Sequence, residues 1–124
     1  MNLTQAQCKI IEQLCSVQFE SLKSILLKED LGRDENGITY EVIFEILEIT
    51  REDFDKEIIG IFNAFSSLKD NPENLFECLD EIDLEIFEYL MYLFKDDIIE
   101  YYPKAYDNLM YKVFLYKTAN SMRS

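Results

Sequence analysis

Three glycines and two prolines are all the chain breakers this sequence of 124 residues contains. Glycine and proline are the residues that most sharply interrupt regular structure. A chain so poor in them has few tight connections, which favours a handful of long helices over many short strands. Hydrophobic residues make up 48% of the chain and charged residues 30%, a balance that can build a core. The length suits one domain, so residues 1–124 are read as a single helical domain.

The apolar residues recur at helical spacing. Thr4 followed by Gln7 has the form of a capping box, and Ile11, Leu14, Cys15, Phe19, Leu22, Ile25 and Leu26 continue in phase behind it. With Gly32 as a stop, this predicts a first helix over about 5–29. Residues 34–37 have the composition of a turn. In 38–49, Glu41, Glu45 and Glu48 keep a helical period, which predicts helix, although the β-branched and aromatic content leaves a strand open. Thr50 with Asp53 suggests another cap, ahead of a helix through Phe54, Ile58, Ile61, Phe62 and Phe65 to near Lys69. Asn71-Pro72 reads as a helix start. The apolar series from Leu75 stays in phase to Lys95, as one helix or as two with a break near 80–83. Pro103 ends the segment 98–102 and opens a last helix. The expected fold is all-α, a bundle of five or six helices.

Several classes of chemistry find no support. The chain has no histidine, the commonest general base and transition-metal ligand. It has no glycine-rich phosphate loop, no Cys-x-x-Cys, and no Glu-x-x-His of the helical di-iron kind. Asp34, Asn36 and Gly37 follow the order of a calcium loop, but that register puts Gly32 first and Ile43 twelfth, where oxygen ligands are needed. No catalytic residue, cofactor or metal is therefore expected. Cys8 and Cys15 on one helix would stand about 10 Å apart, beyond the roughly 4.4–6.8 Å of a disulfide. With Cys78 they make an odd count, which points to reduced thiols in a cytosol. No signal peptide is visible at the start of the chain, and no apolar run of about 18 residues could span a membrane. The expected location is cytoplasmic.

Charge is the informative property. The formal net charge is −13, and residues 29–100 alone carry 22 acids against five bases. Residues 1–28 are net +1 and residues 101–124 net +3. Such a chain should bind neither nucleic acid directly nor anionic membrane, and its natural partners are basic surfaces. From Asp70 to Glu88 there are eight acids and no base. On a continuous helix Glu73, Glu77, Glu81, Glu85 and Glu88 would form one stripe. Like charges at i,i+4 cost a few tenths of a kcal/mol per pair. The stripe is read either as a solvated face or as a surface tuned to a basic partner.

Tyrosine is the second signal, because seven of the eight lie after residue 88. Tyr89, Tyr111 and Tyr116 suit the rim of a bundle. Tyr101 and Tyr102 differ: adjacent helical residues point about 100° apart, so both cannot easily be buried. They follow Asp96, Asp97 and Glu100 closely. Tyrosine beside acid is what a protein that plugs a basic cleft would use.

The run Asp97-Ile98-Ile99-Glu100-Tyr101-Tyr102-Pro103 resembles the acidic Asp-Leu-Ile-Tyr-Tyr-Pro segment of colicin nuclease immunity proteins, over seven residues with Glu100 inserted. More broadly, the chain resembles the all-α immunity proteins of bacterial polymorphic and contact-dependent toxins, a set defined by size, charge and mode of action. The resemblance implies a small helical protein that binds a basic toxin domain, a nuclease in the closest case, and blocks it by steric and electrostatic occlusion. Glu73, Glu77, Glu81, Glu85, Glu88, Asp96, Asp97, Tyr101 and Tyr102 are the candidate partner-binding residues. Two alternatives use the same charge: a nucleic-acid-mimicking phage anti-defence inhibitor, and a secretion chaperone for an exported effector. The oligomeric state is left open.

Overall fold

The computed structural model describes residues 2–27 and 53–123. Among these the secondary structure is entirely helical. In chain order the elements are α1 (Gln5–Cys15), α2 (Phe19–Leu27), α3 (Phe54–Asp70), a 3₁₀ turn (Pro72–Asn74), α4 (Leu75–Cys78), α5 (Glu81–Leu93), α6 (Lys95–Tyr101) and α7 (Pro103–Arg123). The described residues alone form seven α-helices, against the expected five or six: the stretch 5–29 is broken after Cys15, and the series after Leu75 follows the two-helix alternative. The expectations for 38–49, for a Thr50 cap and for the calcium-like loop lie outside the described residues.

The first break falls inside the expected helix 5–29. The capping box forms as the sequence predicts: the Gln7 N–H donates to Thr4 Oγ1 at 3.2 Å, and the Thr4 N–H donates to Gln7 Oε1 at 2.9 Å. Ser16 then ends α1. Its hydroxyl donates to the Glu12 carbonyl at 2.6 Å, and its N–H bonds Gln13 O in a tightened last turn. Serine offers the backbone this local alternative to a continuing helix. The apolar phase survives the break, since Leu14, Cys15, Leu22 and Leu26 are all buried.

The second break divides the series after Leu75. Leu79 is extended (φ −102°, ψ 128°), and Asp80 caps α5 by accepting the Asp83 N–H at 2.8 Å. An N-cap aspartate beats helix continuity there. Asn71 was expected to cap a helix with its side chain. Instead it closes α3, its N–H on Leu68 O, while its amide donates weakly to Ser67 O at 3.5 Å. Pro72 does stand at the first position of the following turn.

Helices α5, α6 and α7 run on with two kinks, at Phe94 and at Tyr102. Carbonyls at each kink still accept the next helix's first bonds: Ile98 N–H to Phe94 O at 3.0 Å, and Tyr106 N–H to Tyr102 O at 2.9 Å. Pro103 lacks an N–H to lose and so suits the first position of α7.

One hydrophobic cluster joins the described helices. Ile10 and Ile11 of α1, Ile58 and Phe65 of α3, Leu84 and Phe87 of α5, Ile98 of α6 and Leu109 of α7 all belong to it. Phe65 and Phe87 meet edge-on at 6.3 Å between ring centres, and Phe19 and Phe62 at 5.5 Å. Each such side chain contributes roughly 1.5–3 kcal/mol by leaving water. Gln7 is the buried polar residue among those described. Lys112 of α7 donates to Gln7 Oε1 at 2.8 Å and to Asn2 O at 2.7 Å, which ties the start of α1 to α7. No described helix is long and apolar enough to cross a membrane.

Candidate partner-binding surface

The acids of 73–88 do not form one stripe. Glu73 stands on the 3₁₀ turn, Glu77 on α4, and Glu81, Glu85 and Glu88 on α5 beyond the extended Leu79. Glu73, Glu77 and Glu81 are exposed. Glu85 and Glu88 are half-buried and face Lys117 of α7, which pairs with both, at 3.3 Å in the case of Glu88. Burial acts against the Lys117 charge, but the two carboxylates outweigh it and hold the ammonium above its ordinary range. The base missing from this stretch of sequence is thus supplied from 29 residues further on.

Asp83 is a third case within the same segment. Its carboxyl is pushed up to about 6, first by burial and then by the neighbouring Asp80 charge. Asp80 stands at the N-cap of α5, where the helix dipole favours an acidic residue.

The α6 edge is built differently. Phe94, Asp97, Ile98 and Tyr101 follow at three, one and three residues and so share a face. Ile98 is the anchor, buried in the core cluster. Around it Phe94 is 37% exposed and Tyr101 71% exposed. Tyr102 is half-buried and packs on the core, so the adjacent tyrosines divide as their geometry requires. Asp96 and Asp97 are exposed in the first turn of α6.

Opposite this face lies the end of α1. Between them runs a groove with two hollows. One, of about 270 Å³, is lined by Leu14, Ser16, Val17, Phe94, Asp97 and Ile98, with Gln13 at its edge. The other, wider at about 460 Å³, is lined by Lys9, Glu12, Gln13, Ser16, Tyr101 and Tyr102. Gln13 and Ser16 border both, so the hollows adjoin. The break after Cys15 creates the first hollow, since a continuing helix would carry Ser16 and Val17 elsewhere. Lys9 and Glu12 pair with each other at 3.8 Å on the exposed side. No described cation pairs with Asp97.

Three of the predicted residues, Asp97, Tyr101 and Tyr102, are therefore brought together on this groove, and Asp96 stands beside it. Glu73, Glu77 and Glu81 lie on other elements. The α1 contribution, above all Gln13, Ser16 and Val17, is absent from the sequence reading. The one trace of it is Ser16 itself, a residue that disrupts helices by bonding to the backbone. The rim tyrosines also separate: Tyr89 is buried, Tyr116 donates its hydroxyl to Phe76 O at 3.0 Å, and Tyr111 is 61% exposed. Tyr111 shares an exposed apolar face of α7 with Phe114 and Leu115.

In the groove the Ser16 hydroxyl is already engaged, donating to the Glu12 carbonyl. Cys15 is pushed up to about 12 by burial, and the three cysteines are free thiols. Among the described residues no cluster of His, Cys, Asp and Glu could hold a metal ion. In comparisons with known proteins, no family model, curated protein or solved structure matches the chain.

Proposed function

We propose that this protein is an inhibitor of the immunity type, a cytoplasmic, non-catalytic helical plug that binds a basic toxin domain, a nuclease being the leading case. One observation carries the reading: Asp97, Tyr101 and Tyr102 line a single groove, and the charge there has no described partner within the chain. Exposed tyrosine beside carboxylate supplies apolar anchor area and charge complementarity at one place. The exposed Glu73, Glu77 and Glu81 add long-range attraction, which raises the rate of encounter with a basic surface. Glu85 and Glu88 contribute less, because Lys117 already satisfies them.

The test is co-production with the protein encoded by the adjacent reading frame. Growth arrest by that protein, relieved by this chain, is the expected result. In stopped-flow binding, Glu77→Lys with Glu81→Lys should slow association severalfold and flatten its salt dependence. Tyr101→Ala should chiefly speed dissociation, by roughly tenfold or more if it is an anchor. A neighbour that is harmless and unbound, or association indifferent to salt and to both charge reversals with dissociation unmoved by Tyr101→Ala, would sink the reading.

A further inference from the structure

We infer that the groove between α1 and α6 takes one arginine side chain of the partner, its stem over Leu14, Val17 and Ile98 and its guanidinium on Asp97. The inference rests on the reading above, that the partner is basic. Size comes first. The hollow beside Asp97 is about 270 Å³, room for one long side chain.

The lining then selects the side chain. The floor is aliphatic, and Asp97 stands in the wall without a described cation. An apolar occupant would take water from that exposed carboxylate and offer it no counter-charge, which is unfavourable. An acidic occupant meets both Asp97 and a chain of net charge −13. A basic residue satisfies both parts, because its stem is apolar and its head is charged. Arginine fits better than lysine. Its planar guanidinium is weakly hydrated, matches a carboxylate with two parallel bonds and lies flat on aromatic rings. Phe94 and Tyr101 offer exposed rings on either side of Asp97 along the same helix face.

The test uses the full chain, isotope-labelled, titrated with n-butylguanidinium and, separately, with n-butylammonium and n-butanol, with amide chemical shifts followed by NMR. The inference expects saturable shifts at Gln13, Ser16, Val17 and Ile98, with an affinity of about millimolar for so small a probe. Butylguanidinium should bind more tightly than either control. Asp97→Asn should weaken it by about fivefold or more, and Asp96→Asn by less than about twofold. The two variants each remove one carboxylate from the same helix turn, so a fold effect would appear in both. Equal behaviour of the two variants, or butanol binding as well as butylguanidinium, overturns the inference. Saturation at Glu73, Glu77 and Glu81 with the groove silent also overturns it, yet leaves the basic-partner reading standing. No saturation anywhere counts against both.

Discussion

Two acidic regions of this chain look alike in sequence and differ in what their charges do. In 73–88 the acids are denser, yet Glu85 and Glu88 close on Lys117, Asp80 caps a helix, and Asp83 is pushed toward protonation by burial. At the α6 edge the acids are fewer, but Asp96 and Asp97 stay exposed beside Tyr101. In the first region Asp80, Glu85 and Glu88 are engaged within the fold, and the second region's charge faces outward. Density of like charge along a sequence is therefore a weaker guide to an interface than the absence of an internal counter-charge.

The comparison can be broken most directly at Lys117. Lys117→Met should destabilise the protein by about 2 kcal/mol in urea unfolding, less than the roughly 3–5 kcal/mol of a fully buried broken pair because these side chains are 22–30% exposed. A loss under about 0.5 kcal/mol would mean that the region's acids are merely solvated. Placing Glu85→Gln on that variant should restore about 1 kcal/mol, since it removes one of the two stranded charges. If nothing is restored, the cost of Lys117→Met comes from packing and not from charge.

Asp83 sharpens the contrast through pH. Its carboxyl titrates near 6 in the folded chain against an ordinary 3.8. The folded state holds the proton more tightly, so ionising Asp83 costs stability as pH rises from about 4 to about 6, and the cost persists above that. A shift of this size would convert to roughly 3 kcal/mol at full burial, and solvent screening of a partly exposed group reduces it to about 1 kcal/mol. Asp83→Asn should therefore stabilise the protein by about 1 kcal/mol at pH 7 and by almost nothing at pH 4. An equal gain at both pH values would show that the carboxyl's charge is not the cause. The smallest effect is expected at the α6 edge, where Tyr101→Ala should change stability by less than about 0.5 kcal/mol. A larger loss would make Tyr101 part of the fold and remove it from the candidate surface.

The differing legibility of these regions has a physical cause. The capping box at Thr4 and Gln7, the helix start at Pro103 and the buried phase of Ile58, Ile61 and Phe65 are local matters of spacing and backbone chemistry. The break at Ser16 is not legible, because the apolar phase passes through it without a slip, whereas the one beside Leu79 is legible as an alternative although the phase continues there too. Asp80 carried the signal for the second, being an N-cap residue three positions before Asp83. For the candidate site, exposed Tyr101 and half-buried Tyr102 follow from the 100° between adjacent helical residues. The groove they border does not, since half of it comes from α1, some eighty residues earlier.

The sequence by itself determined that the described chain is helical, where most helices begin, which residues turn inward and how unevenly the charge is spread. Those properties arise within a few residues, from side-chain period, caps and composition. The tertiary structure alone decided which acids have partners. Lys117 reaches Glu85 and Glu88 only when α7 packs on α5, and Asp97 acquires a groove only when α6 lies against the end of α1. Pairing between charges depends on distance in space, and a bundle sets that distance when its helices pack.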